Sequence, residues 1–201
     1  MKKIIFGCLF LISYVAKSQN LSFGPVIGAN FYDIEIEGPV IGGSGGSYFN
    51  FGGFADYKLN NRFGVKSQLI YTNSEENSYN YYDSGYNEEL FSSAELKTLQ
   101  LHALCKFDVR RDYSKGFYFV GGFRMTNILS AKSDENVDLT DFYEKTNFGV
   151  LAGFGVTFLK NFSVELIPEC NLTNTIASEG NTAKNYGAYF NLSYNLASIL
   201  N

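Results

Sequence analysis

The sequence predicts an all-β fold, an eight-stranded antiparallel up-and-down transmembrane β-barrel. Three observations support it: apolar and polar residues alternate over long segments, long and short connections alternate between those segments, and charged residues collect on the face opposite the apolar one. The composition agrees, because the 201 residues include 20 Gly, 19 Phe and 15 Tyr, with three Pro and no Trp. Strand and turn formers are therefore abundant together, and long amphipathic helical patterns are absent.

The alternating pattern marks eight strands. Most of them run for about 11 to 14 residues, longer than the five or six of an average soluble strand and suited to crossing a bilayer. An even strand number suits a closed barrel with both ends of the chain on one side. The predicted strands are Leu21–Tyr32, Ser47–Leu59, Arg62–Thr72, Leu96–Asp108, Gly116–Leu129, Asn147–Phe158, Asn161–Leu172 and Asn185–Leu196.

The connections between these strands alternate in length. Bacterial outer-membrane barrels have the same pattern, with long outer loops and short periplasmic turns. Within the first long connection, the glycine-rich run Gly42–Gly46 predicts a flexible loop tip. The predicted long connections are Asp33–Gly46, Asn73–Glu95, Ser130–Thr146 and Thr173–Lys184, and the short ones are Asn60–Asn61, Val109–Lys115 and Leu159–Asn161.

The two faces of the strands differ in polarity. In the hairpin Gly52–Tyr71, we expect Tyr57, Leu59, Phe63, Val65 and Leu69 to face lipid. Charges on the other face must be paired or solvated once the sheet encloses them. We therefore predict a structural network of polar side chains in the lumen, formed by Asp56, Lys66, His102, Lys106, Arg124, Glu165 and Glu169. Since side chains can fill an eight-stranded barrel, no wide channel is expected.

Aromatic residues collect near the predicted strand ends. Aromatic girdles at both membrane interfaces are typical of outer-membrane barrels, although Tyr and Phe are also common in ordinary strands. The residues expected in the girdles are Phe31, Tyr32, Tyr48, Phe49, Phe51, Tyr57, Phe63, Tyr71, Phe107, Phe117, Tyr118, Phe158 and Phe162.

Charge is divided between the two ends of the predicted barrel. The long loops are rich in Asp and Glu, whereas the short turns and their flanks carry Lys58, Arg62, Arg110, Arg111, Lys115 and Lys160. With a formal net charge of −4, the chain also lacks the basic face that nucleic-acid binding needs. Nucleic acid is therefore excluded as a partner.

The first residues predict a secretory signal peptide over residues 1–18. Lys2 and Lys3 precede the apolar run Ile4–Ala16, and the small residues Ala16 and Ser18 suit cleavage after Ser18. The apolar run is shorter than the roughly 20 residues of a membrane-spanning helix. The predicted organisation is a signal peptide followed by one barrel domain over residues 19–201.

A strand-by-strand pattern of apolar residues and glycine runs through five segments: Phe23–Asp33, Phe49–Thr72, Leu96–Val109, Gly116–Leu129 and Phe148–Asn174. This pattern resembles the Bacteroidetes outer-membrane β-barrel domain, a group often labelled PorT-like. The resemblance implies a location in the outer membrane of a Gram-negative bacterium. The expected partners are outer-membrane lipid and lipopolysaccharide, the barrel assembly machinery and secretion-system components. Tyr194 is the last aromatic residue available as the assembly signal that such barrels carry near their ends.

The sequence offers little support for catalysis. Its one histidine is His102, and the residue two positions later is Leu104. A resemblance to the lipid A deacylase barrels would imply a serine there, in a His-x-Ser pattern. No His or Cys spacing suits a metal ion, and no cofactor is predicted. The leading hypothesis is a non-enzymatic outer-membrane barrel with a structural, adhesion or secretion-accessory role. A lipid-modifying enzyme centred on His102 and a secreted soluble ligand-binding barrel stay open as alternatives.

Overall fold

The computed structural model describes residues 20–37, 40–83, 88–89, 93–159, 161–177 and 182–197. The predicted signal peptide, residues 1–18, lies outside the described residues. The strands are β1 (Leu21–Glu37), β2 (Val40–Lys58), β3 (Phe63–Asp83), β4 (Glu88–Glu89), β5 (Ser93–Asp108), β6 (Gly116–Ser133), β7 (Thr146–Phe158), β8 (Phe162–Asn171) and β9 (Thr182–Tyr194).

Eight of these strands close into a single antiparallel barrel. Their order around the barrel is β1, β2, β3, β5, β6, β7, β8 and β9, and β9 pairs with β1 to complete the ring. The two-residue strand β4 pairs only with the far end of β3, at Tyr82 and Asp83. Sequential strands pair with each other, as alternating hairpins require. The predicted eight-stranded up-and-down barrel is confirmed.

The barrel turns its apolar face outward and its polar face inward. Along the opening hairpin, Leu59 is 61 % exposed and Leu69 is 50 % exposed, whereas Asp56 and Lys66 are buried. A soluble barrel would place these two sets the other way round, because water favours polar groups outside. The alternative of a secreted soluble barrel is therefore wrong.

The strands extend further into the long connections than predicted. The hairpin β1–β2 continues through the run Gly42–Gly46, whose residues pair with β1, for example Gly46 with Tyr32. The prediction of a flexible loop tip there is therefore wrong. Antiparallel ladders need backbone groups rather than apolar side chains, so a hairpin can continue beyond the point where the apolar alternation stops.

Three of the expected girdle tyrosines face the lumen instead of lipid. Tyr48 and Tyr118 are buried, and the ring of Tyr32 packs on that of Tyr48 with centroids 5.1 Å apart. Successive side chains of a strand point to opposite faces, so residues separated by an even number of positions share a face. These tyrosines are an even number of positions from inward-facing neighbours and therefore point inward. Outward aromatic pairs do occur at the short-turn end, such as Phe63 with Phe107.

Among the described ranges, none forms a helix long and apolar enough to cross a membrane. Cys105 and Cys170 are free thiols, the first exposed on β5 and the second half-buried on β8.

Candidate functional site: the barrel lumen and its outer cap

The lumen is closed at the short-turn end by a tyrosine from the β5–β6 turn. The Tyr113 hydroxyl donates a short hydrogen bond to Asp56. Lys106 donates to the other oxygen of Asp56 at 3.0 Å and to the Ser114 hydroxyl at 2.9 Å. Burial, together with the negative charge of Asp56, raises the pKa of Tyr113 well above its usual value. The phenol therefore stays protonated and holds the turn against the barrel mouth.

The middle of the lumen is crossed by hydrogen bonds that converge on Glu165. Lys66 donates to one carboxylate oxygen at 2.6 Å, and Gln68 donates to the other at 2.7 Å. The Tyr118 hydroxyl also donates to Glu165, at 2.9 Å. Both oxygens of the buried carboxylate therefore accept hydrogen bonds, which offsets the cost of burying its charge.

His102 lies beside this central group. Its Nδ1 atom is 3.2 Å from the amide oxygen of Gln68, and its ring meets the Tyr189 ring edge-on with centroids 4.8 Å apart. The side chain has no solvent exposure. His102 is thus an interior member of the polar network, reached neither by the outer water nor by the lipid.

A third polar group centred on Arg124 lies toward the long-loop end. Arg124 forms an ion pair with Glu169 and donates to the side-chain oxygens of Asn147, at 3.2 Å, and Asn171. The Tyr189 hydroxyl lies 3.0 Å from Glu169 and 2.8 Å from Gln100, on the opposite wall of the barrel. Arginine suits this position because its planar fork can donate to several acceptors at once.

The outer opening is covered by an apolar cap, in which side chains of two loops pack on apolar residues at the outer ends of the strands. Tyr143 lies in the loop before β7, and Ile176 lies in the loop after β8. The two residues form a backbone bridge, and their side chains are buried in the mouth. Two further backbone bonds join the loops: Glu144 N to Thr175 O at 2.8 Å and Ala177 N to Phe142 O at 2.9 Å. The buried members of the cap are Ile34, Ala94, Leu96, Ile128, Ala131, Tyr143, Ile176 and Ala183.

Between the cap and the Arg124 group lies a polar cavity of about 40 Å³. Hydroxyl and amide side chains dominate its lining, including Thr72, Thr126 and Asn147, and Tyr143 of the cap closes over it. Thr72 and Thr126 are both buried. A polar cavity of this size can hold water, so the lumen has a small polar chamber next to the apolar cap.

The seven residues predicted for the lumen all lie inside the barrel in three groups. The structure joins Asp56 with Lys106, Lys66 with Glu165, and Arg124 with Glu169, and it sets His102 beside Gln68. Sequence reasoning missed several further members. Tyr118 and Tyr189 could have been found from their parity with Arg124 and Asn191, but no periodic signal marks the turn residue Tyr113. The missed residues are Tyr113, Tyr118, Tyr189, Tyr143 and Ile176.

Each acidic side chain of these three groups lies beside a lysine or an arginine. In the part of the chain that the structure describes, no three His, Cys, Asp or Glu side chains are placed to hold a metal ion. The charged side chains are instead paired with one another, which is the arrangement of a braced interior.

A closed antiparallel barrel with an apolar outside and an ion-paired inside defines the class of transmembrane β-barrels. Residues 17–177 match the protein family described as "Outer membrane protein beta-barrel domain". The chain belongs to this family, and it is a protein of the outer membrane of a Gram-negative bacterium. The predicted barrel family and location are thus confirmed, whereas the PorT-like subgroup stays a prediction. A comparison with curated protein sequences found no match.

Solved structures show the same fold. Ail, the attachment invasion locus protein of Yersinia pestis, is 17 % identical with a TM-score of 0.51, over 89 % of this chain and 100 % of Ail. Ail has also been solved in complex with the heparin analogue sucrose octasulfate. Neisserial surface protein A is 15 % identical with a TM-score of 0.51, over 88 % of this chain and 99 % of its own. At these identities the likeness concerns the fold alone.

Proposed function

We propose that this outer-membrane barrel is a non-enzymatic protein with a structural and adhesive role, exerted through its outer loops. One observation carries the proposal: the apolar cap formed around Tyr143 and Ile176 closes the outer mouth over a lumen that is already filled. The inner mouth is closed as well, by Tyr113 on Asp56. Among the described residues these side chains obstruct both mouths, so we assign the role to the outer loops and the lipid-facing wall.

The interior of the barrel argues against a lipid-modifying enzyme. Acyl hydrolysis needs a nucleophile beside a base, at a place that the lipid can reach. His102 has no exposure, and its neighbours Gln68 and Tyr189 supply neither a serine nor an orienting acid. The test is mass spectrometry of lipid A and phospholipids from cells with the native chain, His102→Ala or no barrel. We expect identical spectra; a species lost with both changes would establish the enzyme instead.

The acidic side chains at the outer end of the barrel determine which kind of adhesion partner the protein could bind. The loop before β7 exposes Asp134, Glu135, Asp138 and Asp141, and Val137 at its tip is 55 % exposed. A hydrogen bond from Thr140 lowers the pKa of Asp138, which therefore stays charged at neutral pH. Such a surface repels polyanions and suits a basic partner with an apolar contact. The polysulfated ligand in one Ail structure is thus a poor guide to the partner here.

A deletion strain tests the adhesive role. The strain is complemented with the native chain, with Asp134→Asn/Glu135→Gln/Asp138→Asn, or with Asp112→Asn at the other end of the barrel as the control. Adhesion to cell and abiotic surfaces and the amount of secreted protein are measured in parallel. We expect adhesion to fall in the deletion and in the loop variant, and to recover with the native chain and the control.

Two results would contradict the adhesive role. Unchanged adhesion in the deletion strain would show that the protein has no adhesive role. A deletion that instead lowers protein secretion would favour the secretion-accessory, PorT-like role and secretion-system components as partners. Contacts with lipid and lipopolysaccharide along the outward apolar wall, and recognition of Tyr194 by the assembly machinery, are compatible with either role.

A further inference from the structure

Three arginines cluster on one side of the short-turn end. Arg62 lies in the β2–β3 turn, and Arg110 and Arg111 lie in the β5–β6 turn. The two turns are joined, because the backbone amide of Asp108 donates to the carbonyl of Arg62 at 2.8 Å. Strands β3 and β5 are neighbours in the barrel, so the cluster is built by adjacent elements rather than gathered from the whole rim.

These guanidinium groups carry uncompensated positive charge. Arg110 and Arg111 are exposed, and within the described ranges none of the three arginines takes part in an ion pair. The acid of the same turn, Asp112, is bound to Lys115 at 2.8 Å. The nearby lumen acid Asp108 is buried and turned toward Lys106. Among the described residues, the three arginines therefore have no acidic partner of their own.

The arginine cluster sits at the edge of the lipid-facing wall. Phe63 and Phe107, at the ends of the same two strands, have ring centroids 5.1 Å apart, and Phe63 is 49 % exposed on the outward face. Aromatic side chains in such barrels mark the level of the lipid headgroups. Arg62 directly precedes Phe63, which places the arginine-bearing turns next to the level expected for the headgroups of the periplasmic leaflet.

We propose that Arg62, Arg110 and Arg111 form a binding site for the headgroup of an anionic phospholipid in the periplasmic leaflet. The planar fork of each arginine fits a phosphate oxygen pair. The Phe63–Phe107 pair supports the glycerol and upper acyl region of the same lipid. Gly116, with φ of 90°, begins β6 in the left-handed region and leaves room beside the Arg110 side chain. The site is independent of what the outer loops bind.

The test measures lipid selectivity directly. The chain is refolded into phosphatidylcholine vesicles, and electron spin resonance compares the protein-associated fraction of spin-labelled phosphatidylglycerol with that of spin-labelled phosphatidylcholine. The variant is Arg62→Gln/Arg110→Gln/Arg111→Gln. The matched control, Lys97→Gln/Lys132→Gln/Lys145→Gln, removes the same charge from the outer end. Arg62→Lys/Arg110→Lys/Arg111→Lys keeps the charge but loses the planar fork. Gel mobility with and without boiling verifies that each variant has folded.

We expect the native chain and the outer-end control to select phosphatidylglycerol. The glutamine variant should lose that selectivity by a factor on the order of five or more, since each surface Lys or Arg contributes about that factor to anionic lipid binding. The lysine variant should keep only part of it, because the ammonium groups retain the charge without the planar fork. High salt should weaken the selectivity. Selectivity that survives in the folded glutamine variant, or that falls equally in the outer-end control, would overturn the site.

Discussion

Lys66 on β3 and Glu165 on β8 face each other across the lumen, with Nζ and Oε1 2.6 Å apart. Three strands separate β3 from β8 in either direction around the barrel. The ladder of backbone hydrogen bonds joins only neighbouring strands, so this ion pair braces walls that the ladder does not connect. Both side chains are buried, which makes the pair sensitive to the loss of either partner.

The Lys66→Met variant should therefore be strongly destabilised. Removing the lysine leaves Glu165 buried without its cation, and breaking such a buried pair costs about 3–5 kcal/mol in the free energy of unfolding. Urea unfolding of the refolded barrel, followed by the gel-mobility shift on boiling, measures the change. Lys115→Met is the control, because the exposed Lys115–Asp112 pair is worth no more than about 1 kcal/mol. Equal losses in the two variants would show that the Lys66–Glu165 pair is not a brace.

Tyr113→Phe should weaken the closure of the inner mouth. The change removes the hydroxyl that donates to Asp56 but keeps the ring beside Lys106, whose Nζ lies 4.5 Å from the ring centroid. A hydrogen bond to a charged group contributes about 1.5–3 kcal/mol. We expect a loss of that size at neutral pH in the same unfolding assay.

The effect of Tyr113→Phe should also depend on pH. Burial and the charge of Asp56 raise the pKa of Tyr113 in the folded chain above its usual value. The contribution of the phenol is therefore complete below about pH 10 and falls above it, because the unfolded chain loses the proton first. The difference between native chain and variant should shrink in alkaline solution. A difference that stays constant to about pH 11 would contradict a role for the hydroxyl proton.

The outer cap should control access to the polar chamber. Thr72→Cys places a thiol in the chamber wall, in a background where Cys105 and Cys170 are replaced by Ala. With the cap intact, a charged, water-soluble maleimide added to folded protein should not label it, because Thr72 is 2 % exposed. Adding Ile176→Asp puts a charge into the apolar cap, which buried apolar surroundings do not tolerate. Labelling should then become rapid.

A control separates opening of the cap from unfolding. Glu144→Gln lies in the other loop of the cap, before β7, but is exposed, so it should leave the thiol protected. The Ile176→Asp variant must keep its gel-mobility shift on boiling, since the barrel below the cap is braced independently. Rapid labelling with the native cap would mean that the two loops do not seal the chamber.

The alternation of side chains explains why the wall of the barrel could be predicted and its closures could not. Asp56 and Lys66 have even residue numbers, whereas Tyr57 and Val65 have odd ones. Because side chains of a strand alternate between its two faces, the two sets lie on opposite faces. Which charged residues meet across the lumen depends on strand number and stagger, which the pattern of one strand does not contain. The pairing of Lys66 with Glu165, 99 residues later, is such a case.

The residues that close the two mouths lie in connections and have no period to reveal them. Tyr113 stands in a short turn, and Tyr143 and Ile176 stand in long acidic loops that suggest only a solvated surface. Their burial follows from apolar side chains meeting over an open mouth, a tertiary event with no local signature. The position of Tyr118 near a strand end predicts a place in the aromatic girdle. Its even spacing from Arg124 on the same strand instead places its side chain in the lumen.

Neighbouring glycines on β6 should respond oppositely to the same substitution. A Cβ at Gly122 would overlap the carbonyl oxygen of Ala103 and lie 3.0 Å from Cα of Leu104, both backbone atoms of the adjacent strand β5. At Gly121 the nearest such atom is the carbonyl oxygen of Leu151, at the ordinary contact distance of 3.8 Å. Gly122→Ala should cost about 1–3 kcal/mol in unfolding free energy, as overpacked sites do. Gly121→Ala should stay within about 0.5 kcal/mol of the native chain. If urea unfolding gives equal values for the two variants, β5 and β6 do not approach each other as closely at Gly122 as the structure shows.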